Sequence, residues 1–161
     1  MIPASTNDAF NKQINEEIYS AYLYLSMAAY FEAQNLEGFA HWMKKQATEE
    51  MEHAMKFFAH IGERGGRVKL ETINQPQQEW DSPMAAFSDA AMHEQHISSC
   101  IHTLLKKAMQ ENDYAALPLL HWFVAEQIEE EDSVQKIAER LALIGDKGNG
   151  IFMLDRELAG R

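Results

Sequence analysis

The sequence predicts a single all-α domain: a four-helix bundle with one long crossover, followed by a short fifth helix. Three observations predict it. Breakers are scarce, with only 8 Gly and 4 Pro in 161 residues, while Ala, Leu, Met, Glu and Gln abound and favour helix over strand. Four long segments carry apolar residues at alternating three and four spacing, the pattern of a bundle seam. Two short turns and one long connection separate those segments, which sets the topology. A chain of this length is one domain, residues 1–161, large enough to bury a sizeable core.

Ser5, Thr6, Asn7 and Asp8 offer caps for a first helix running to about Asn35. Asn35-Leu36-Glu37-Gly38 is a short turn, so the second helix, to about Arg64, should lie antiparallel to the first. Gly65-Gly66 ends it and opens the stretch GGRVKLETINQPQQEWDS, long enough to cross the length of a bundle. Ser82-Pro83 starts the third helix, with Ser as N-cap and Pro in the first turn. Asn112-Asp113 divides it from a fourth that ends at Gly145, where Pro118 is tolerated only near the first turn. The bundle thus spans about 5–144. After GDKGNG, Ile151, Leu154 and Leu158 share one face of a short helix at about 150–160. Two antiparallel pairs joined by one crossover give an up-down-down-up bundle.

The seams carry an anomaly. The first reads Phe10, Ile14, Glu17, Ala21, Tyr24, Ala28, and the second Phe39, Met43, Gln46, Glu50, His53, Phe57, Ile61. The third reads Phe87, Ala90, Glu94, Ile97, Ile101, Leu104, Ala108. The fourth reads Leu120, Phe123, Gln127, Glu130, Val134, Ile137, Leu141, Ile144. Every seam is apolar at its ends and polar between. At the helical rise, Glu17 lies ~27 Å before Asn35, and Glu50 and His53 lie ~18 and ~22 Å beyond Gly38. Glu94 lies ~27 Å before Asn112 and Glu130 ~26 Å beyond Asp113, so the polar levels agree within each pair. The register between the pairs depends on the crossover.

A lone Glu or His on a seam is usually a paired core group. Here four carboxylates face one axis, and no Lys or Arg lies on the seams to neutralise them. Buried without partners, they would repel one another and lose their hydration. A pair of divalent metals would neutralise all four. Carboxylates with an imidazole suit iron, manganese or zinc, and Glu50-x-x-His53 sets both ligands on one face. Gln127 can ligate or hydrogen-bond a ligand. Glu49, Glu126 and Glu129 lie beside the seam, where a solvated acidic face explains each of them. Tyr24 and Trp122 are core aromatics that could also supply electrons to a redox metal. The six histidines off the seams receive no role.

The net charge of −11 speaks against a nucleic-acid surface and suits cation handling. Cys100, the single cysteine, falls on a helical pattern among Ile97, Ile101 and Leu104 and reads as a buried thiol in a reducing compartment. No basic n-region precedes an apolar run at the start. The longest uncharged run, Ile18 to Phe31, is shorter than the ~20 residues a membrane span needs, so a cytoplasmic location is expected. That run is apolar nearly all round, with Ile18, Tyr22, Leu25 and Ala29 as a second stripe. A helix apolar on several faces needs cover on several faces, and a two-fold dimer is the simplest closed solution. The Ile151, Leu154 and Leu158 face is expected to find little bundle left to pack on.

At these residues the sequence resembles the ferritin family, specifically the bacterial non-haem ferritins. The resemblance covers the whole chain and rests on NEEIYSAYLYLSMAAYF in the first helix, EEMEH in the second, Glu94 in the third and WFVAEQIEEE in the fourth. It implies a 24-subunit cage that oxidises Fe(II) with O2 or H2O2 at an intrasubunit di-iron centre and stores a ferric mineral. Glu17, Glu50 and His53 would then hold one iron, and Glu50 would bridge to a second held by Glu94 and Glu130, with Gln127 nearby. Glu49, Glu126 and Glu129 match residues such ferritins use for a third iron, and the fifth helix matches one at four-fold contacts. Haem-binding bacterioferritins repeat Glu-x-x-His on the fourth helix, where this chain has Gln127-x-x-Glu130. Haem is therefore not expected, although Met51 follows Glu50 where those proteins carry the haem-ligating methionine. The alternatives are such a haem-binding storage protein and a di-iron oxidase or peroxidase without storage. A DNA-protecting mini-ferritin builds its metal site across a dimer interface, whereas this chain supplies a complete set by itself and has no basic tail.

Overall fold

A computed structural model describes residues 1–145 and 148–160. Asp146 and Lys147 of the predicted GDKGNG connection, and Arg161, lie outside the described residues. Five helices follow in order: α1 Ala4–Ala33, α2 Glu37–Glu63, α3 Pro83–Gln110, α4 Leu117–Ile144 and α5 Asn149–Leu158. Among the described residues there is no strand. The bounds agree with the expected ones to within two residues, except that the connection expected at Asn112-Asp113 runs on through a turn at 114–116 before α4 begins.

The caps of α1 are the first departure. Pro3 precedes the helix without a side-chain cap, and Ser5 to Asp8 lie inside it. Their side chains make tertiary bonds instead. Ser5 and Thr6 donate to the Glu111 carboxylate at the end of α3, at 2.6 and 3.3 Å. Asn7 pairs with the backbone of Arg67 in both directions, at 3.2 and 3.1 Å. At α3 the expectation holds: Ser82 Oγ accepts from the Ala85 amide at 3.1 Å, with Pro83 in the first turn.

Two asparagines turn the chain between antiparallel neighbours. Asn35 and Asn112 adopt left-handed φ of 58° and 56°, a conformation Asn tolerates better than most side-chain-bearing residues. The start of α2 is capped from far away in sequence. Asp155 Oδ1 in α5 accepts the Gly38 and Phe39 amides at 2.8 and 3.0 Å. A Cβ on Gly38 would lie 1.7 Å from the Asp155 carbonyl oxygen, so only glycine permits this approach.

The crossover runs beside α1 in the same direction. Asn11 donates to the Arg67 carbonyl at 3.0 Å and accepts the Lys69 amide at 2.6 Å. Farther along, Asn15 donates to Thr72 O at 3.2 Å and Ser26 to Gln77 O at 2.5 Å. Trp80 closes the path, its ring 5.3 Å from Tyr30 and its indole N–H on Asp89. These bonds set the register between the helix pairs. The chain delivers α3 antiparallel to α1, which makes the bundle up-down-down-up.

The core has two apolar clusters. One holds Tyr24, Phe31, Phe39, Trp42, Met43, Phe87 and Leu141, and the other Phe10, Ile14, Phe57, Ile61, Ile101, Leu120 and Phe123. Phe31 stacks on Phe39 at 5.0 Å in the first, and Phe57 on Phe123 at 4.4 Å in the second. Every seam position is buried except Ile144, which is 37% exposed and lies at the α4–α5 corner against Gly150.

A second departure concerns α5. Its Ile151, Leu154 and Leu158 face does find bundle to pack on: all three are buried in the first cluster. The bundle end stays open to α5 because the first turn of α2 carries Gly38. That face gives no reason for a second subunit, and the large apolar residues α5 leaves outward are Phe152 and Met153. On α1, by contrast, Tyr22 and Leu25 are half exposed, so its second stripe stays uncovered within one chain.

The Asp155 cap generates a stability prediction. Asp155→Ala removes the acceptor for two amides and should cost about 1 kcal/mol in denaturant unfolding. Asp155→Asn keeps an acceptor oxygen and should recover part of the loss. Equal stability of all three proteins would mean that the contact does not support α2.

Candidate metal centre

Between the two apolar clusters lies a polar layer to which each of the four long helices contributes. Glu17, Glu50, His53, Glu94, Gln127 and Glu130 are all buried, none more than 6% exposed. Helical spacing accounts for their convergence. Glu50 and His53 stand three residues apart on the inward face of α2, as Gln127 and Glu130 do on α4.

The ligand-type atoms fall into overlapping groups. Glu17, Glu50 and His53 bring theirs within 4.8 Å of one another, and so do Glu50, Glu94 and Glu130. Glu50 belongs to both. A third group joins His53 and Glu130 to half-buried Glu126, whose Oε1 lies 3.7 Å from His53 Nε2. Glu49 is half-buried and Glu129 exposed, and among the described residues no such group joins Glu49, Glu126 and Glu129.

Neutral donors hold the outer side of the carboxylates. Gln13 donates to Glu17 Oε1 at 2.9 Å and Gln46 to Glu130 Oε2 at 2.6 Å. Glu94 accepts from the Tyr24 hydroxyl and, at 3.2 Å, from Gln127. Among the described residues Glu17 Oε2, Gln46 Oε1, Glu50 Oε1 and His53 Nδ1 are buried with no hydrogen-bond partner, and Glu17, Glu50 and His53 are the residues of one group. Buried polar atoms are rarely left unpaired, so an orphaned atom on each residue of one ligand group fits a cation held by all three. An oxygen-rich set with one imidazole suits iron, manganese or zinc.

The electrostatics agree. Burial, then the Glu50 charge, holds Glu17 well above the usual carboxylate range, and burial with Glu94 and Glu130 does the same for Glu50. Burial raises Glu94 to about 7 despite the Tyr24 and Gln127 bonds, and burial with Glu94 raises Glu130 to about 7. Burial, then Glu94, lifts Tyr24 above its ordinary value, which keeps it protonated as a donor.

Sequence reasoning placed Gln46 on the seam without a role, and the structure gives it Glu130. Gln13 lies off the seam, and its signal is its place one turn before Glu17. Trp122 meets the edge of His53 at 5.6 Å while Lys56 sits over its ring. Cys100 corrects its expectation. It is half-buried, beside His96 in a cavity it shares with Leu104, and burial with Glu16 and Glu17 pushes its thiol up to about 11.

The family profile described as a ferritin-like domain matches residues 7–144. The chain belongs to the ferritin family. This ferritin is 41% identical to a bacterial non-heme ferritin of Bacteroides fragilis over the full length of both. It is 33% identical to one from Staphylococcus aureus, over all of this chain and 97% of the other. Among solved structures it superposes with a TM-score of 0.98 on the open pore ferritin of the hyperthermophilic archaeon Archaeoglobus fulgidus, at 51% identity over 100% of this chain and 99% of that one. An engineered closed form of the Archaeoglobus fulgidus ferritin gives the same score and identity, over 98% of its chain.

The raised carboxyls generate a pH prediction for the metal-free protein. Folded values above the ordinary ~4.3 mean that folding takes up protons. The stability linked to this uptake is full below the unfolded range and is lost as pH rises through about 7. The double variant Glu94→Gln/Glu130→Gln carries no such ionisation. It should melt above the parent at pH 8, with the gap closing by about pH 5. A gap independent of pH would show that the two carboxyls titrate normally.

Proposed function

We propose that this ferritin stores iron, and that it oxidises Fe(II) at a dinuclear ferroxidase centre inside each subunit. Glu17, Glu50 and His53 hold one Fe(II), Glu50 bridges, and Glu94 and Glu130 hold the second. The observation that carries the reading is that Glu17, Glu50 and His53, grouped within 4.8 Å, each keep a buried atom without a hydrogen-bond partner, in a layer to which no Lys or Arg among the described residues contributes. Gln127 holds Glu94 in place and is not itself needed as a ligand.

The chain's own groups define the sequence of events. Entering Fe(II) displaces the protons of the raised carboxyls, so binding weakens as pH falls below about 7. Each of two Fe(II) then gives up one electron. Dioxygen accepts both together with two protons and leaves as hydrogen peroxide; with peroxide as the oxidant, two waters form instead. Tyr24, hydrogen-bonded to Glu94, is an oxidisable group beside the pair and would supply the third electron wherever dioxygen is reduced beyond peroxide. Fe(III) then passes to the mineral. Glu126 beside His53, with Glu49 and Glu129, serves a third iron outside the pair.

The assembly is a homo-oligomeric cage of 24 subunits built from dimers, in the cytoplasm. Among the described residues no helix is long and apolar enough to cross a membrane. The exposed Tyr22 and Leu25 stripe of α1 forms the dimer contact.

Stopped-flow oxidation after anaerobic Fe(II) loading tests the centre. Glu50→Ala should lose the fast phase for the first two Fe(II) per subunit, and Gln46→Ala should slow it roughly tenfold through Glu130. A Glu50→Ala protein as fast as the parent would refute the dinuclear assignment. Glu129→Ala should spare the first two irons and alter later turnover, and unchanged turnover removes the third site.

Light scattering at neutral pH tests the assembly. A monodisperse mass near one or two chains would refute the cage. Leu25→Arg should break the particle down, and a full-sized particle would refute the α1 contact.

A further inference from the structure

We propose a second metal site, on the outer face between α1 and α3, formed by Glu16, His96 and Cys100. It takes one borderline divalent transition ion of the zinc or ferrous kind. His96 and Cys100 stand one turn apart on α3, and Glu16 reaches them from antiparallel α1. Their ligand atoms all lie within 4.8 Å of one another, with His96 Nε2 at 3.0 Å from Glu16 Oε2 and 3.6 Å from Cys100 Sγ.

The spacing is that of a coordination polyhedron. Metal bonds of about 2.3 Å to sulfur and 2.0 Å to nitrogen, at a tetrahedral angle, place the two donors about 3.5 Å apart. The nitrogen–sulfur separation already matches without movement. The carboxylate, now on the imidazole, needs to withdraw only a few tenths of an ångström to reach the corresponding edge. Sulfur, nitrogen and oxygen together favour a borderline cation over calcium or magnesium.

The surroundings suit exchange rather than a closed structural site. The three residues line a cavity of about 390 Å³, so water completes the ligand set and an ion can come and go. Gln13 lines the same cavity and donates to Glu17 at 2.9 Å. The outer ion therefore rests one side chain away from the buried layer. An ordinary Glu16–His96 ion pair with an idle thiol beside it is the competing account.

Cobalt(II) under argon separates the two in the assembled, metal-free protein. Thiolate-to-cobalt charge transfer in the near ultraviolet reports sulfur ligation, and the inner carboxylate layer holds no sulfur to produce it. The band should saturate at the intensity of one thiolate–cobalt centre per subunit, whatever cobalt the carboxylate layer takes up besides, and zinc should slow iodoacetamide alkylation of Cys100. Cys100→Ser should abolish the band, and His96→Ala and Glu16→Gln should each weaken binding roughly tenfold or more. Glu50→Ala should keep it, which separates this site from the ferroxidase centre. No band in the parent, or equal binding by His96→Ala, would overturn the proposal.

Discussion

Four carboxylates on one axis, with no lysine or arginine among them, set the terms for the rest of the bundle. In the metal-free state they oppose folding, by lost hydration and by mutual repulsion. Stability therefore has to come from either side of the layer. The aromatic residues concentrate there, Phe31 on Phe39 at one end and Phe57 on Phe123 at the other. These rings hold α1 to α2 on one side of the layer and α2 to α4 on the other.

The shell around the layer is neutral by chemical necessity. A lysine at position 13, 46 or 127 would satisfy a carboxylate more strongly than glutamine does, but its ammonium would cancel the negative charge that the layer leaves open to a cation. Glutamine and the Tyr24 hydroxyl orient oxygens without cancelling their charge. One oxygen of Glu17 is held outside while the other points inward unpaired.

Much of this was legible in the sequence because a seam has a period. Glu17, Glu50, His53, Glu94, Gln127 and Glu130 could be read as inward-facing before any coordinate, and each is buried. What resisted reading depends on contacts without a period. The register between the helix pairs comes from Asn11, Asn15 and Ser26 gripping the crossover backbone. Ser5 to Asp8 resemble caps to any local rule, yet distant partners claim Ser5, Thr6 and Asn7. Cys100 sits between apolar neighbours in sequence, but its azimuth on α3 turns it toward Glu16 and His96.

The bond from Asp155 to the start of α2 also orders events in time. Its partners are separated by 117 positions. At roughly 5–20 residues per second, about 6–23 s of translation pass between them. During that interval α2 has an open N-terminus and the first apolar cluster lacks its lid. The first apolar cluster is complete only once α5 has been made and docked, so until then a nascent chain holds its buried carboxylates beneath an unfinished core.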